Sequence, residues 1–160
     1  MIALACDHGG YSLMKEVICF LETEGYEYKN FGTYSPDYCD YPLIAIPAAS
    51  AITGGICDKG IFICGTGIGM SIAANKTHGI RAALCTTRYM AEMSRNHNNA
   101  NVLVLGERVI DSETAIDLVK AFLSTSFSDK EKHHRRVIML EELDVKRKEH
   151  SDASLCTEDI

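Results

Sequence analysis

Three short runs constrain this chain more than anything else in it: IALAC at residues 2–6, GIFIC at 60–64 and NVLVL at 101–105. Each is almost continuously apolar. A strand with one wet face alternates, whereas a strand buried on both faces reads like these. Between the runs the apolar spacing becomes that of helices. In SLMKEVICFLETEG (12–25), Leu13, Val17, Phe20 and Leu21 share a face and Gly25 can end the helix. YEYKNFG (26–32) alternates as a second strand, and IRAALC (80–85) completes a set of five with KGIFIC (59–64) and ANVLVLG (100–106). Further helices are expected at 43–55, with Pro47 near the first turn or at a kink, and after the loop that follows Cys64. The others fall at 86–97, capped by Thr86 or Thr87, at 111–125, capped by Asp111 or Ser112, and at about 129–148. Strands joined by helices require right-handed crossovers and a parallel sheet covered on both faces. A chain of 160 residues holds one such domain, expected over 1–148, with 149–160 as a loose tail.

In such sheets ligands bind outside the carboxyl ends of the strands. Three polar segments fall there: Asp7-His8-Gly9-Gly10, Cys64-Gly65-Thr66-Gly67-Ile68-Gly69 and Gly106-Glu107-Arg108. The middle one is not a dinucleotide loop. Counting G-x-G-x-x-G from Gly65 puts Met70 in the last place, and counting from Gly67 puts Ile72 there; G-x-x-x-x-G-K-[ST] is absent. Three alternate glycines still let main-chain N–H groups converge on one negative oxygen ahead of a helix. A standing phosphate and an oxyanion formed during reaction fit equally well, and a tight packing turn is the competing explanation.

Cys64 borders this loop. Amide donors and a helix start favour a thiolate, which could take a proton from carbon and return it. Cys6, Cys19 and Cys85 read as buried small hydrophobes. Asp7 and His8 gain weight from their place after a strand, while His97 and Asn98 alone would pass for structural residues. In KEKHHRRV, Lys132 and Arg136 lie four apart on one helix face, either as solvated charge or as a phosphate clamp. Cys6-x-His8 and the pair His133-His134 lack partner sets, so no metal site is expected.

Composition narrows the class. The formal net charge of −6 argues against nucleic acid, which needs a basic face. No apolar run approaches the roughly 20 residues of a membrane helix, and the opening meets Asp7 and His8 too early for a signal peptide. Seven scattered cysteines with no CxxC pair suit free thiols in a reducing cytoplasm.

CDHGG, DYP at 40–42, CGTGIGMSIAANK, GIRAALC, SRNHNNANVLVLGERV and HHRRV together resemble the ribose-5-phosphate isomerase B family, which includes galactose-6-phosphate isomerase subunits. The resemblance runs in order from residue 1 to about 145. It implies a Rossmann-like three-layer α/β/α fold with a five-stranded parallel sheet. It implies aldose–ketose isomerisation of a sugar phosphate through an enediolate, without metal or nucleotide. Ribose 5-phosphate and ribulose 5-phosphate are the leading pair; a six-carbon phosphate (allose or galactose 6-phosphate) and a non-catalytic sugar-phosphate-binding module are the alternatives. It further implies a homodimer, or a tetramer, with sites shared between chains and the last helix packed on the partner. By position, Cys64 matches the base and Thr66 the group that helps move protons at the substrate oxygens. Gly65, Gly67 and Gly69 match the enediolate cradle. His97 matches the ring-opening residue, with Asp7 on the ring hydroxyls. Asn98 and Tyr41 match substrate contacts, and His8, Arg108 and Arg136 the phosphate site. Lys132 stands where many relatives carry arginine, keeping the charge but losing the planar fork. Met70 stands where some relatives carry a glutamate base.

Overall fold

The computed structural model describes the backbone of residues 1–155 and the side chains of 1–145. Five strands alternate with helices: β1 (Ile2–Cys6), α1 (Tyr11–Thr23), β2 (Tyr28–Asn30), α2 (Pro42–Thr53), β3 (Lys59–Cys64), α3 (Ile68–Ala74), β4 (Ala82–Leu84), α4 (Arg88–Asn98), β5 (Val102–Gly106), α5 (Ser112–Ser124) and α6 (Glu131–Leu155). All pairings are parallel, and the strand order is β2-β1-β3-β5-β4. The sheet is covered on both sides, as the apolar runs required.

Period-two alternation sorts each central strand between two cores. Leu4, Ile61, Ile63, Leu103 and Leu105 pack with Leu13, Val17 and Leu21 of α1 and with Leu118 and Phe122 of α5. Ala3, Ala5, Phe62, Cys64 and Val104 face the other way, against Ala45, Ala48 and Ala49 of α2 and Met70 of α3. Small residues on both sides of that second layer let α2 lie close to the sheet. Cys64 therefore sits on the α2–α3 side, with Met70 sealed beneath it at 0 % exposure.

The caps follow the sequence. Thr87 accepts from Met90 N–H at 3.3 Å and Asp111 from Thr114 N–H at 2.8 Å. Several expectations shift. Cys19 is exposed, because it falls two residues after Val17 and so off the buried stripe of α1. Pro47 lies in the second turn of α2 on its exposed outer side, away from the sheet. β4 shrinks to three half-buried residues at the sheet edge. The last helix continues to Leu155, beyond the expected end at 148, and residues 156–160 of the expected tail lie outside the described residues.

Candidate active site

β2 lies to one side of β1 and β3 to the other, so the crossovers leave β1 in opposite directions. The crevice at such a switch opens above the carboxyl ends of β1 and β3. The loops after those strands meet there. Asp7, only 7 % exposed, accepts from Gly9 N–H at 2.8 Å and so caps a single 3-10 turn (His8–Gly10). A Cβ on Gly9 would stand 3.0 Å from Gly65 N, so the two loops touch main chain to main chain. The loop after β5 joins them: Glu107 N–H donates to Cys64 O at 3.0 Å and Arg108 N–H to Gly65 O at 2.9 Å. The Arg108 side chain folds back over the glycine loop, where a Cβ on Gly65 would lie 3.3 Å from Cζ and Nε.

Cys64 ends β3 at 5 % exposure, next to the half-buried Gly65 and the exposed Thr66 of the loop. Gly67 N–H points at Sγ across 3.1 Å. This is possible because Gly67 takes φ +79, turning the chain back over the sulfur before α3 begins. A main-chain donor is thus aimed at the sulfur. At Cys6 and Cys85 burial pushes the thiols up to about 12 and about 11, so both remain neutral packing groups. Thr66 is exposed beside the loop, its Oγ1 3.4 Å from Ile68 N. Tyr41, at the start of α2, lays its ring on Gly69, where a Cβ would come within 2.9 Å of Cζ. His8 is half-buried; its Nδ1 accepts from Cys39 N–H at 3.4 Å and its ring lies 5.0 Å from that of Tyr38.

Nine of the expected residues thus gather at the strand ends: Asp7, His8, Tyr41, Cys64, Gly65, Thr66, Gly67, Gly69 and Arg108. His97, Asn98, Lys132 and Arg136 do not join them. α4 starts above the sheet and runs back down, ending at Asn98 just before β5. Gly60 pairs with Val102 at the foot of the sheet and Cys64 with Gly106 at the top, four residues later. At about 3.3 Å per residue, the two levels are roughly 13 Å apart. α6 begins at that same lower end, where Ser128 N–H donates to Asn96 O at 3.0 Å. There His97 meets His133 with ring centroids 4.3 Å apart, and Lys132 and Arg136 are exposed on α6. A cleft of about 500 Å³ also opens at this end beside Asn98, lined in part by Ile80, Ala82, Leu140 and Leu143. Within one chain the base candidate and the ring-opening candidate occupy opposite ends of the sheet.

Two further residues bear on these clusters. Glu107, in the polar segment after β5, received no role of its own from sequence; it accepts from Leu13 N–H at 2.9 Å, tying the start of α1 to the loop that carries Arg108. Tyr38, which no sequence pattern flagged, lies against His8. Among the described residues no group of three His, Cys, Asp or Glu side chains is placed to share a metal ion.

Comparison with known proteins places the chain in a family. A family profile described as Ribose/Galactose Isomerase matches residues 2–140. Ribose-5-phosphate isomerase B of Escherichia coli K12 is 43% identical over 146 residues, 91% of this chain and 97% of that protein. D-erythrulose-4-phosphate isomerase of Pectobacterium atrosepticum is 40% identical over 128 residues, 79% of this chain and 84% of that protein. Among solved structures, the Clostridium thermocellum ribose-5-phosphate isomerase B superposes with a TM-score of 0.89 at 49% identity, covering 91% of this chain and 98% of that one. With a strand-end thiol under a main-chain donor and a profile match over nearly its whole length, the chain belongs to the ribose/galactose isomerase family.

Proposed function

We propose that this protein interconverts ribose 5-phosphate and ribulose 5-phosphate, with Cys64 as the base. Removing the C2 proton of the open-chain aldose leaves an enediolate, and the Cys64 thiol returns the proton to C1. Thr66 helps shift the hydroxyl proton between O1 and O2. Of the expected cradle, the amides of Gly65 and Gly69 face the oxyanion while that of Gly67 serves the sulfur; one such oxyanion donor is worth roughly 100- to 1000-fold in rate. His8 and Arg108 hold the phosphate, and Tyr41 walls the site beside Gly69. Remote phosphate binding then orients the reacting carbons.

The remaining groups come from a second copy of the chain. His97 and Asn98, with Lys132 and Arg136, lie toward the foot of the sheet, whose level is roughly 13 Å below that of the thiol in their own subunit. A homodimer that sets the foot of one sheet against the top of the other completes two equivalent sites. His97 of one copy then opens the sugar ring held by Asp7 of the other, and Lys132 and Arg136 complete the phosphate site. Exposed Ile68 and Ile72 beside the loop, and Ile138, Leu140 and Leu143 on α6, supply apolar surface for such a contact. Unpaired thiols suit a cytoplasmic enzyme.

The observation that carries this reading is the 3.1 Å approach of Gly67 N–H to Cys64 Sγ at the carboxyl end of β3, which a mere binder of sugar phosphates does not need. The test is ketose absorbance from ribose 5-phosphate. Cys64→Ala should abolish turnover while ribose 5-phosphate still binds; near-normal turnover by that variant would remove Cys64 from the mechanism. Lys132 favours a second reading for the sugar itself, since a cation without the guanidinium fork can suit a chain of different length. A panel of four-, five- and six-carbon aldose phosphates decides between them by kcat/KM.

A further inference from the structure

His133 is 3 % exposed, yet its Nδ1 has no hydrogen-bond partner among the described residues. A buried polar atom without a partner is costly and rare, and it calls for an explanation. Its surroundings supply one. On α6, His133 and Val137 lie four apart and face inward, while Lys132 and Arg136 lie four apart and face outward. The inward face meets the last turn of α4. There the His133 and His97 rings stand edge to face, 4.3 Å between centroids and 82° between planes.

We infer that His133 is the positioning residue for His97: its Nδ1 accepts a ring N–H of His97 in the substrate-bound enzyme, leaving the other His97 nitrogen to serve the sugar. This rests on the proposed role of His97 in ring opening. Hydrogen bonds of a catalytic group are often loose before substrate binds and tighten afterwards, and the present edge contact already brings the two rings together. Burial lowers the His133 pKa below its ordinary 6.5 and so favours the uncharged ring; His97, Lys132 and Arg136 push the same way, opposed by the Asn96 carbonyl. A neutral imidazole has one bare nitrogen to offer as acceptor. An outward-facing helix could present Lys132 and Arg136 equally well without a buried histidine between them. The imidazole is therefore assigned to His97 and not to the phosphate.

The test separates ring opening from isomerisation. Ribose 5-phosphate is mostly cyclic, whereas a four-carbon aldose 4-phosphate cannot close a furanose because its O4 is esterified. His133→Phe keeps an aromatic edge against His97 but removes the acceptor. It should lower kcat/KM for ribose 5-phosphate by about 10- to 100-fold, part of what a positioned acid or base contributes. It should also shift the limb of the pH profile due to His97, and leave the four-carbon substrate nearly unaffected. His133→Asn, which returns an amide oxygen close to the Nδ1 position, should recover part of the loss. Wild-type kinetics in His133→Phe, or equal losses on both substrates, would overturn the inference. Should these variants fail to fold, long-range ¹H–¹⁵N correlation spectra of the wild-type enzyme at substrate–product equilibrium decide it. A bare, hydrogen-bonded Nδ1 on His133 supports the assignment and a protonated Nδ1 refutes it. If His97→Ala itself turns over ribose 5-phosphate normally, the underlying reading fails, not merely the role of His133.

Discussion

Gly67→Ala strikes the turn on which the thiol depends. Gly67 sits at φ +79, where a side chain costs roughly 1–2 kcal/mol. Its new Cβ would also collide with Leu84 Cδ1 and stand 3.1 Å from the Leu105 carbonyl carbon. Leu84 can rotate, but the main chain of β5 cannot withdraw, so overpacking adds about 1–3 kcal/mol. The total, about 2–5 kcal/mol, corresponds for a domain of this size to a midpoint lower by roughly 4–20 °C. The same displacement moves the N–H that points at Sγ, so kcat should fall with stability. Gly65→Ala is the control. Gly65 has no positive φ, and its Cβ meets only the Arg108 side chain, at 3.3 Å. That variant should melt within a few degrees of wild type and show its defect in KM, through the displaced guanidinium. The assay is thermal unfolding followed by circular dichroism, alongside ketose formation. Gly67→Ala with an unchanged midpoint and normal kcat would refute the claim that this turn holds the thiol's donor in place.

Other perturbations test separate parts. Glu107→Ala should release Leu13 N–H at the start of α1, cost about 1 kcal/mol and raise KM through the adjoining Asp7–Gly10 loop; Glu107→Gln, which keeps an acceptor, should restore both. Lys132→Arg should lower KM for phosphorylated substrates severalfold at constant kcat, because the guanidinium fork binds two phosphate oxygens; an unchanged KM would place residue 132 away from the phosphate. For pH, His133 is held below its ordinary value of 6.5 by burial, so the folded state binds its proton less readily than the unfolded chain. The stability this contributes is present above pH 6.5 and is lost as pH falls through the lower folded value. Unfolding midpoints from pH 7.5 to 5 (about two and a half units) should therefore drop less steeply in His133→Phe than in wild type, and parallel curves would contradict the burial argument.

The sheet was legible because its central strands are buried on both faces and carry that burial as unbroken apolar runs. Lys59–Cys64 falls at both of its expected ends. The edges were less legible. β4 has only three half-buried residues, so six apolar-leaning positions overstate it, and nothing in the local pattern says that β5 inserts between β3 and β4. Cys19 shows the same limit in a helix, since residue type suggested burial and helical phase decided against it. At the site, the glycine loop and Cys64 could be found from their place after a strand. Ordered motifs also named His97 and Arg136, but only coordinates reveal that these lie at the other end of the sheet from the thiol. The depth of His133 was hidden by its neighbours: in a run of eight charged or titratable residues, 129–136, only Val137 four positions later hints that one of them turns inward.

Subunit complementation tests the proposed shared site most directly. The Cys64→Ala and His97→Ala variants should each be inactive on ribose 5-phosphate. If the thiol of one copy works with the imidazole of the other, mixing and re-equilibrating the two should create hybrids with one intact site each. Statistical pairing then restores about a quarter of wild-type activity. A mixture that stays as inactive as its parents, although mass spectrometry shows hybrid dimers, would mean that Cys64 and His97 do not meet across an interface.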